Sequence, residues 1–347
     1  MKNEIFEKIE LTIMNINKMQ ESFTKDIKIS KIISYATYMY HTGYLDAFDY
    51  GLLLSKLSDK RRQDKIDNFL KNRVKNFIKY NNNLFSSFAI LYNKYKDYDI
   101  NYVNDYIDYK EISSSMIDFF KYLNIYDLFR NILNNKMIGK SSIIGESNLT
   151  INNYDDSYIV IGNFSKNNLL YYDLFVHEMG HAYVNNILKD KKIYNPNTLY
   201  KEIIPITFER LFIDYLKEND LLSFKDMKRL IINEETMRTA ELSYAFKTCD
   251  IIKNHSYKLT RNDIVLDEKE EGYSFDFHYY AIANIVSINL LDLYKKDRIK
   301  FINNMPNIVN EISSITLQSL NKYYDFDLIS NYLENNLASQ KVRKIKM

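Results

Sequence analysis

Residues 177–181 read His-Glu-Met-Gly-His, and they lie in a segment, residues 167–188, whose apolar spacing predicts an amphipathic helix. Residues four apart share one face of a helix, so His177 and His181 can bind one metal ion while Glu178 points at a water on that metal. This spacing is typical of zinc-dependent hydrolysis. The competing interpretation is a buried helix whose two histidines make ordinary hydrogen bonds.

A third metal ligand is expected downstream, because a catalytic zinc ion usually takes three protein ligands and leaves a fourth position for water. Glu202 is the favoured candidate, at the start of a second predicted helix that can pack across the first. Glu209 follows two turns later on the same face, where it either orients a histidine ligand or is an exposed charge beside Arg210. The predicted cofactor is one zinc ion per chain, held by His177, His181 and Glu202.

Composition predicts a mainly helical fold. The 347 residues are 46% hydrophobic, which is enough to bury one large core or two smaller ones. Only 7 glycines and 3 prolines are present, too few for the many tight turns of an all-β fold. We therefore expect an N-terminal helical lobe over residues 1–135 and a zinc-binding catalytic lobe over residues 136–347.

Three short runs rich in β-branched residues, 142–144, 149–151 and 157–161, predict a small antiparallel sheet next to the motif helix. As an edge strand, the last run could hold an extended peptide through main-chain hydrogen bonds, and a purely structural hairpin is an equal alternative. The candidate substrate-binding residues in and after this run are Tyr158, Ile159, Val160, Ile161 and Gly162.

Charge and apolar patterning argue against several partners. The chain has 47 basic and 45 acidic residues, so nucleic acid and anionic membranes are not expected to bind it. No apolar stretch approaches the roughly 18 residues that span a bilayer, and the first residues are unlike a secretory signal. The single cysteine, Cys249, is typical of a reducing compartment. The predicted location is the cytoplasm, and the predicted partner is a peptide substrate.

These motifs resemble the thimet oligopeptidase and oligoendopeptidase F family of zinc metallopeptidases, over residues 157–291. Family members carry H-E-x-G-H, then a helix with the ligand glutamate, often a proline shortly after it, and a second glutamate seven positions from the first. The matching residues here are His177, Glu178, Gly180, His181, Glu202, Pro205 and Glu209. Residues 158–164 look like the family's substrate-binding strand, and residues 236–241 are similar to its T-M-F-A-E helix.

The resemblance implies a helical bowl or clamshell around a deep channel that admits short unfolded peptides and excludes folded proteins. It also implies that tyrosines near the C-terminus hydrogen-bond the developing oxyanion. Tyr280 aligns best with the family's tyrosine, and Tyr279 beside it is a candidate for substrate binding. The histidine that usually precedes them is absent, so either His278 or Tyr273 takes its role or the oxyanion is held differently. The chain is also shorter than most members, which implies a shallower lid.

The sequence favours a zinc-dependent endopeptidase that hydrolyses short unfolded oligopeptides, with Glu178 as the general base. A dedicated maturation protease, which trims a leader or propeptide from one small product, is an alternative that the sequence leaves open. A second alternative is a non-catalytic or regulatory zinc-binding module. The intact Glu178 argues against that module, because a structural zinc site needs no base and is normally closed by a fourth ligand.

Overall fold

A computed structural model describes residues 2–20, 22–57, 110–144, 148–153, 155–163, 169–189, 201–224, 226–227, 230–231, 234, 276–314, 325, 327–332 and 335. Helices predominate among them, as the composition predicts, and one three-stranded sheet accompanies them. In chain order the elements are α1 (Lys2–Asn17), α2 (Phe23–His41), α3 (Ala47–Leu57), α4 (Lys110–Tyr122), α5 (Tyr126–Asn134), β1 (Ile138–Ile144), β2 (Leu149–Asn152), β3 (Ser157–Asn163), α6 (Leu169–Lys189), α7 (Ile203–Glu218), α8 (Asp276–Lys296) and α9 (Arg298–Ser314).

The chain divides into two compact units. One comprises Met1–Gln63 and Tyr106–Asn195, and the other comprises Asp64–Asp105 and Pro196–Met347. Elements α1 to α6 and the sheet belong to the first unit, whereas α7 to α9 belong to the second. The lobes expected from the sequence, residues 1–135 and 136–347, stay a prediction.

Helices α1 to α3 pack around a small apolar core in the first unit. Its buried members are Ile9, Ile13, Ala36, Leu45 and Leu53. Helix α2 also reaches the sheet, where the Ser34 hydroxyl donates a hydrogen bond to the main-chain oxygen of Asn152 at 3.1 Å. The core therefore supports one face of the sheet through α2.

The sheet is mixed, with strand order β1-β3-β2. Strand β2 pairs with β3 in the antiparallel direction, whereas β1 pairs with β3 in the parallel direction. The expectations of a wholly antiparallel sheet and of an edge strand at residues 157–161 are therefore wrong. The physical reason is burial on both faces: the neighbours Ile159 and Val160 point to opposite faces, yet each is 0% exposed. A strand that is covered on both faces has an uninterrupted run of apolar residues in its sequence. The run Ile159-Val160-Ile161 has this pattern, which is typical of a central strand.

The motif helix α6 spans Leu169–Lys189, close to the predicted residues 167–188. One side packs on α4 and α5, where the Phe175 ring lies 6.4 Å from the Phe120 ring and 6.3 Å from the Phe129 ring, centroid to centroid. Another side lies against β2 and β3. Tertiary packing on two sides therefore fixes the helix that carries both histidines.

Helix α7 forms the interior of the second unit, because 13 of its 16 residues are buried. A helix buried all round belongs to a core rather than to a surface. Pro205 is tolerated in its first turn, where the missing N–H would have no intrahelical partner. The first intrahelical bond runs from the Ile206 amide to the Glu202 carbonyl at 3.0 Å, so Glu202 caps this helix.

None of the described helices is both long enough and apolar enough to cross a membrane.

Candidate metal centre

The two motif histidines lie one turn apart on α6 with their rings close together. Their ring centroids are 4.9 Å apart, and the ring planes meet at 76°. His177 is buried, whereas His181 is half-buried. The helical spacing thus places both imidazoles on one face, as the sequence predicts.

Glu202 joins the two histidines. One ligand atom from each of His177, His181 and Glu202 can be chosen so that all three lie within 4.8 Å of one another. Two imidazole nitrogens and one carboxylate oxygen form a donor set that zinc accepts in catalytic sites. The structure therefore brings the three predicted ligands together, and this group could hold a metal ion.

Glu202 occupies the N-cap position of α7 without using its side chain as a cap. Its carboxylate is only 3% exposed, and the Lys201 ammonium lies 3.5 Å from one of its oxygens. Burying a carboxylate is costly unless a cation or hydrogen bonds compensate it. A buried acid that is not used for helix capping suits a metal ligand, since a bound cation would supply further compensation.

Glu178, the predicted general base, is also buried, with 6% exposure. Its main-chain carbonyl accepts a hydrogen bond from the Thr150 hydroxyl at 3.0 Å. Within the described part of the chain, no side chain pairs with its carboxylate. The structure thus shows Glu178 buried next to His177 on α6, and its role as general base stays a prediction.

Strand β2 attaches to the two turns of α6 that carry the motif. Besides the Thr150 bond to Glu178, the Asn152 amide lies 3.5 Å from the main-chain oxygen of His181. Thr150 and Asn152 are two apart and therefore share one face of the strand. Sequence reasoning missed these two residues, although polar side chains alternating along a short strand are a signal that could have found them.

Glu209 is 1% exposed, so the alternative of an exposed helix charge is wrong. Its neighbour Arg210 is also buried, at 2% exposure, and does not mark a solvated surface. Arg210 donates hydrogen bonds to two residues of α8 and to Tyr332. Arg210 is thus a third residue whose structural role the sequence did not reveal.

The candidates for oxyanion stabilisation lie at or before the start of α8. Tyr280 is half-buried one turn into this helix. His278 and Tyr279 belong to the same turn, and their side chains are outside the described part of the structure. Tyr273 and residues 236–241 also lie outside the described residues.

Helices α7 and α8 run in the same general direction. In the middle of α7, Arg210 donates a hydrogen bond to Asn284, and one turn later Asp214 pairs with Lys295 at 2.9 Å. Later residues of α7 therefore contact later residues of α8, which indicates that the two helices are parallel. The start of α8, with Tyr280, therefore lies toward the end of α7 that Glu202 caps.

The strand expected to bind substrate packs its side chains inward. The Tyr158 ring lies 5.0 Å from the Tyr38 ring of α2, centroid to centroid. Burial, and then the nearby Asp156 and Tyr35, raise the pKa of Tyr158 to about 12. The Gly162 amide donates to the Asn148 side chain at 2.7 Å. A substrate-binding role for residues 158–162 therefore rests on the family resemblance alone.

No protein-family model matches the chain, and no curated protein matches it. A solved structure from Bacillus anthracis, which carries the provisional name oligoendopeptidase F, is similar with a TM-score of 0.49 and 13% sequence identity. The match covers 93% of this chain and 63% of that one. This chain therefore spans less than two thirds of the matched protein.

Proposed function

We propose that this protein is a zinc-dependent endopeptidase that hydrolyses short unfolded oligopeptides. The observation that carries the proposal is the group formed by His177, His181 and Glu202, whose ligand atoms lie within 4.8 Å of one another. No fourth His, Cys, Asp or Glu joins this group among the described residues. Three protein ligands with a position left for water are typical of catalytic zinc sites, whereas structural sites are closed by a fourth.

When bound, zinc would act as a Lewis acid that lowers the pKa of a water molecule toward about 7 and polarises the scissile carbonyl. The Glu178 carboxylate accepts the proton of the attacking water and delivers it to the leaving amine. The Tyr280 hydroxyl donates a hydrogen bond to the developing oxyanion, and loss of one such donor costs about 3 to 4 kcal/mol. Glu209 would orient one of the two histidines.

The test compares the parent protein with Glu178→Gln on a quenched-fluorescence peptide library. Glu178→Gln should keep its zinc, because the three ligands are intact, and should lose at least about 100-fold in turnover. Glu7→Gln makes the same chemical change at an exposed residue of α1 and should retain full turnover. Near-normal cleavage by Glu178→Gln would show that the assigned base is wrong.

The same assay addresses substrate size. Oligopeptides from the library should be cleaved, and a stable folded protein that contains a preferred sequence should resist. Cleavage confined to one library motif would favour the dedicated maturation protease. Zinc binding without any cleavage by the parent would contradict the peptidase proposal and favour a zinc-binding module.

A further inference from the structure

Arg210 of α7 uses all three nitrogens of its guanidinium: two of them donate to α8, and the third donates to Tyr332. Its Nε donates to the Ser287 hydroxyl at 2.9 Å, and one terminal nitrogen donates to the Asn284 side chain. The other terminal nitrogen donates to the Tyr332 hydroxyl at 2.8 Å, and the guanidinium carbon lies 4.9 Å from the centre of the Tyr332 ring. The guanidinium group is planar and its N–H groups point in fixed directions, so these contacts hold it in one orientation.

The two partners of Arg210 on α8 share a face with Tyr280. Asn284 and Ser287 follow Tyr280 by four and seven residues, so all three lie along one side of the helix. Asn284 and Ser287 are each 0% exposed, and the Ser287 hydroxyl donates to the Asn284 carbonyl at 2.9 Å. Arg210 therefore binds the same side of α8 that carries Tyr280, one turn away.

We propose that Arg210 is a positioning residue, whose guanidinium fixes the rotation of α8 about its axis and thereby the place of the Tyr280 hydroxyl. The role of Tyr280 in catalysis rests on the proposed function. Because α7 and α8 run in the same direction, this hydroxyl is held toward the end of α7 that Glu202 caps. A displacement of about 1 Å at a catalytic group can cost about 100-fold in rate, so one arginine at the helix contact can control turnover without touching substrate.

The first test follows Tyr280 itself and needs neither metal nor activity. 3-Fluorotyrosine is placed at position 280, and its fluorine NMR signal is recorded in the parent and in Arg210→Lys, which keeps the charge but loses the fork. The signal should shift or broaden in Arg210→Lys. Ser287→Ala removes a single Arg210 contact and should change the signal in the same sense, even where Arg210→Lys fails to fold.

The matched control is Lys295→Met, which removes the ion pair with Asp214 from the same two helices, farther along from Tyr280. Its fluorine signal should match that of the parent. An unchanged signal in folded Ser287→Ala and in any folded Arg210→Lys would overturn the proposal. The same shift in Lys295→Met would also overturn it, because any contact between the helices would then serve equally well.

The second test is kinetic, with Arg210→Lys made in the parent and in Tyr280→Phe. In the parent background kcat should fall by about 10- to 100-fold with little change in KM. In the Tyr280→Phe background the same change should have little further effect, because the group that Arg210 positions is gone. Equal fold-losses in both backgrounds would overturn the positioning role. Absence of cleavage by the parent would instead refute the proposed function, and the fluorine test would still decide on Arg210.

Discussion

Three of the glutamates that the sequence singles out are almost completely buried. Glu178, Glu202 and Glu209 are 6%, 3% and 1% exposed, respectively. A buried ionised carboxylate is costly unless hydrogen bonds or a cation compensate it. The proposed zinc ion would compensate Glu202 directly. Glu209 is also shielded from solvent, and its effect on a histidine ligand stays a prediction.

Glu209→Gln should weaken zinc binding by about 10- to 100-fold, because residues that orient metal-bound histidines typically contribute that much. The measurement is a competition titration of zinc against a chelator of known affinity. Glu218→Gln, which makes the same change later on α7 and on a one-third exposed side chain, should bind zinc like the parent. Unchanged zinc affinity in Glu209→Gln would show that Glu209 has only a structural role.

The sequence could name the two histidines and Glu178, because their spacing within one helix is local information. Glu202 also followed from sequence, through its place at the start of the next predicted helix. The burial and the partners of Arg210 could not be predicted from local sequence. Its partners Asn284, Ser287 and Tyr332 are 74, 77 and 122 residues away, so its burial depends on tertiary contacts that no local pattern encodes.

At the scale of elements, the three strands and the motif helix were predictable, and the strand order was not. Each strand is a local run of β-branched residues, whereas pairing depends on which runs meet in space. The run Ile159-Val160-Ile161 did contain a usable signal, because uninterrupted apolar residues indicate a strand covered on both faces. Helices α2 and α6 both contact β3 and supply that cover.

The bond between β2 and α6 can be tested by Thr150→Val, which keeps the shape and removes the hydroxyl. Loss of the hydrogen bond to the Glu178 carbonyl should lower the free energy of unfolding by about 1 kcal/mol. Thr12→Val removes an exposed hydroxyl that bonds only within α1, and should change stability by less than about 0.5 kcal/mol. Denaturant unfolding measures both, and equal values would show that the β2 contact contributes nothing specific.

Tyr183 makes the stability of the α6 region sensitive to alkaline pH. Burial raises its pKa to about 12 in the folded protein, whereas an unfolded tyrosine ionises near 10. The folded state therefore binds more protons between these values, and its stability is full below about pH 10 and falls as the pH rises toward 12.

Tyr183→Phe should make the free energy of unfolding fall less steeply between about pH 10 and 12. Denaturant titrations at several pH values measure this slope. A slope in Tyr183→Phe that equals the slope of the parent would contradict the assigned role of Tyr183.

At the scale of the whole molecule, the scarcity of glycine and proline correctly predicted a mainly helical fold. The bowl-like shape around a channel, the cytoplasmic location and the lobe boundary follow from the resemblance or from composition, and they stay predictions. The near balance of 47 basic and 45 acidic residues argues against nucleic acid as a partner, and the peptide partner stays a prediction. The proposed activity thus depends chiefly on the metal group and on Glu178.

Zinc titration of the metal-free protein, with peptide cleavage recorded at each step, tests the central claim most directly. Cleavage should be absent without zinc, should rise with added zinc and should saturate at about one equivalent per chain, as three protein ligands around one ion require. Glu202→Gln should need far more zinc for the same cleavage. Cleavage that is independent of zinc, or a Glu202→Gln titration that matches the parent, would contradict the account.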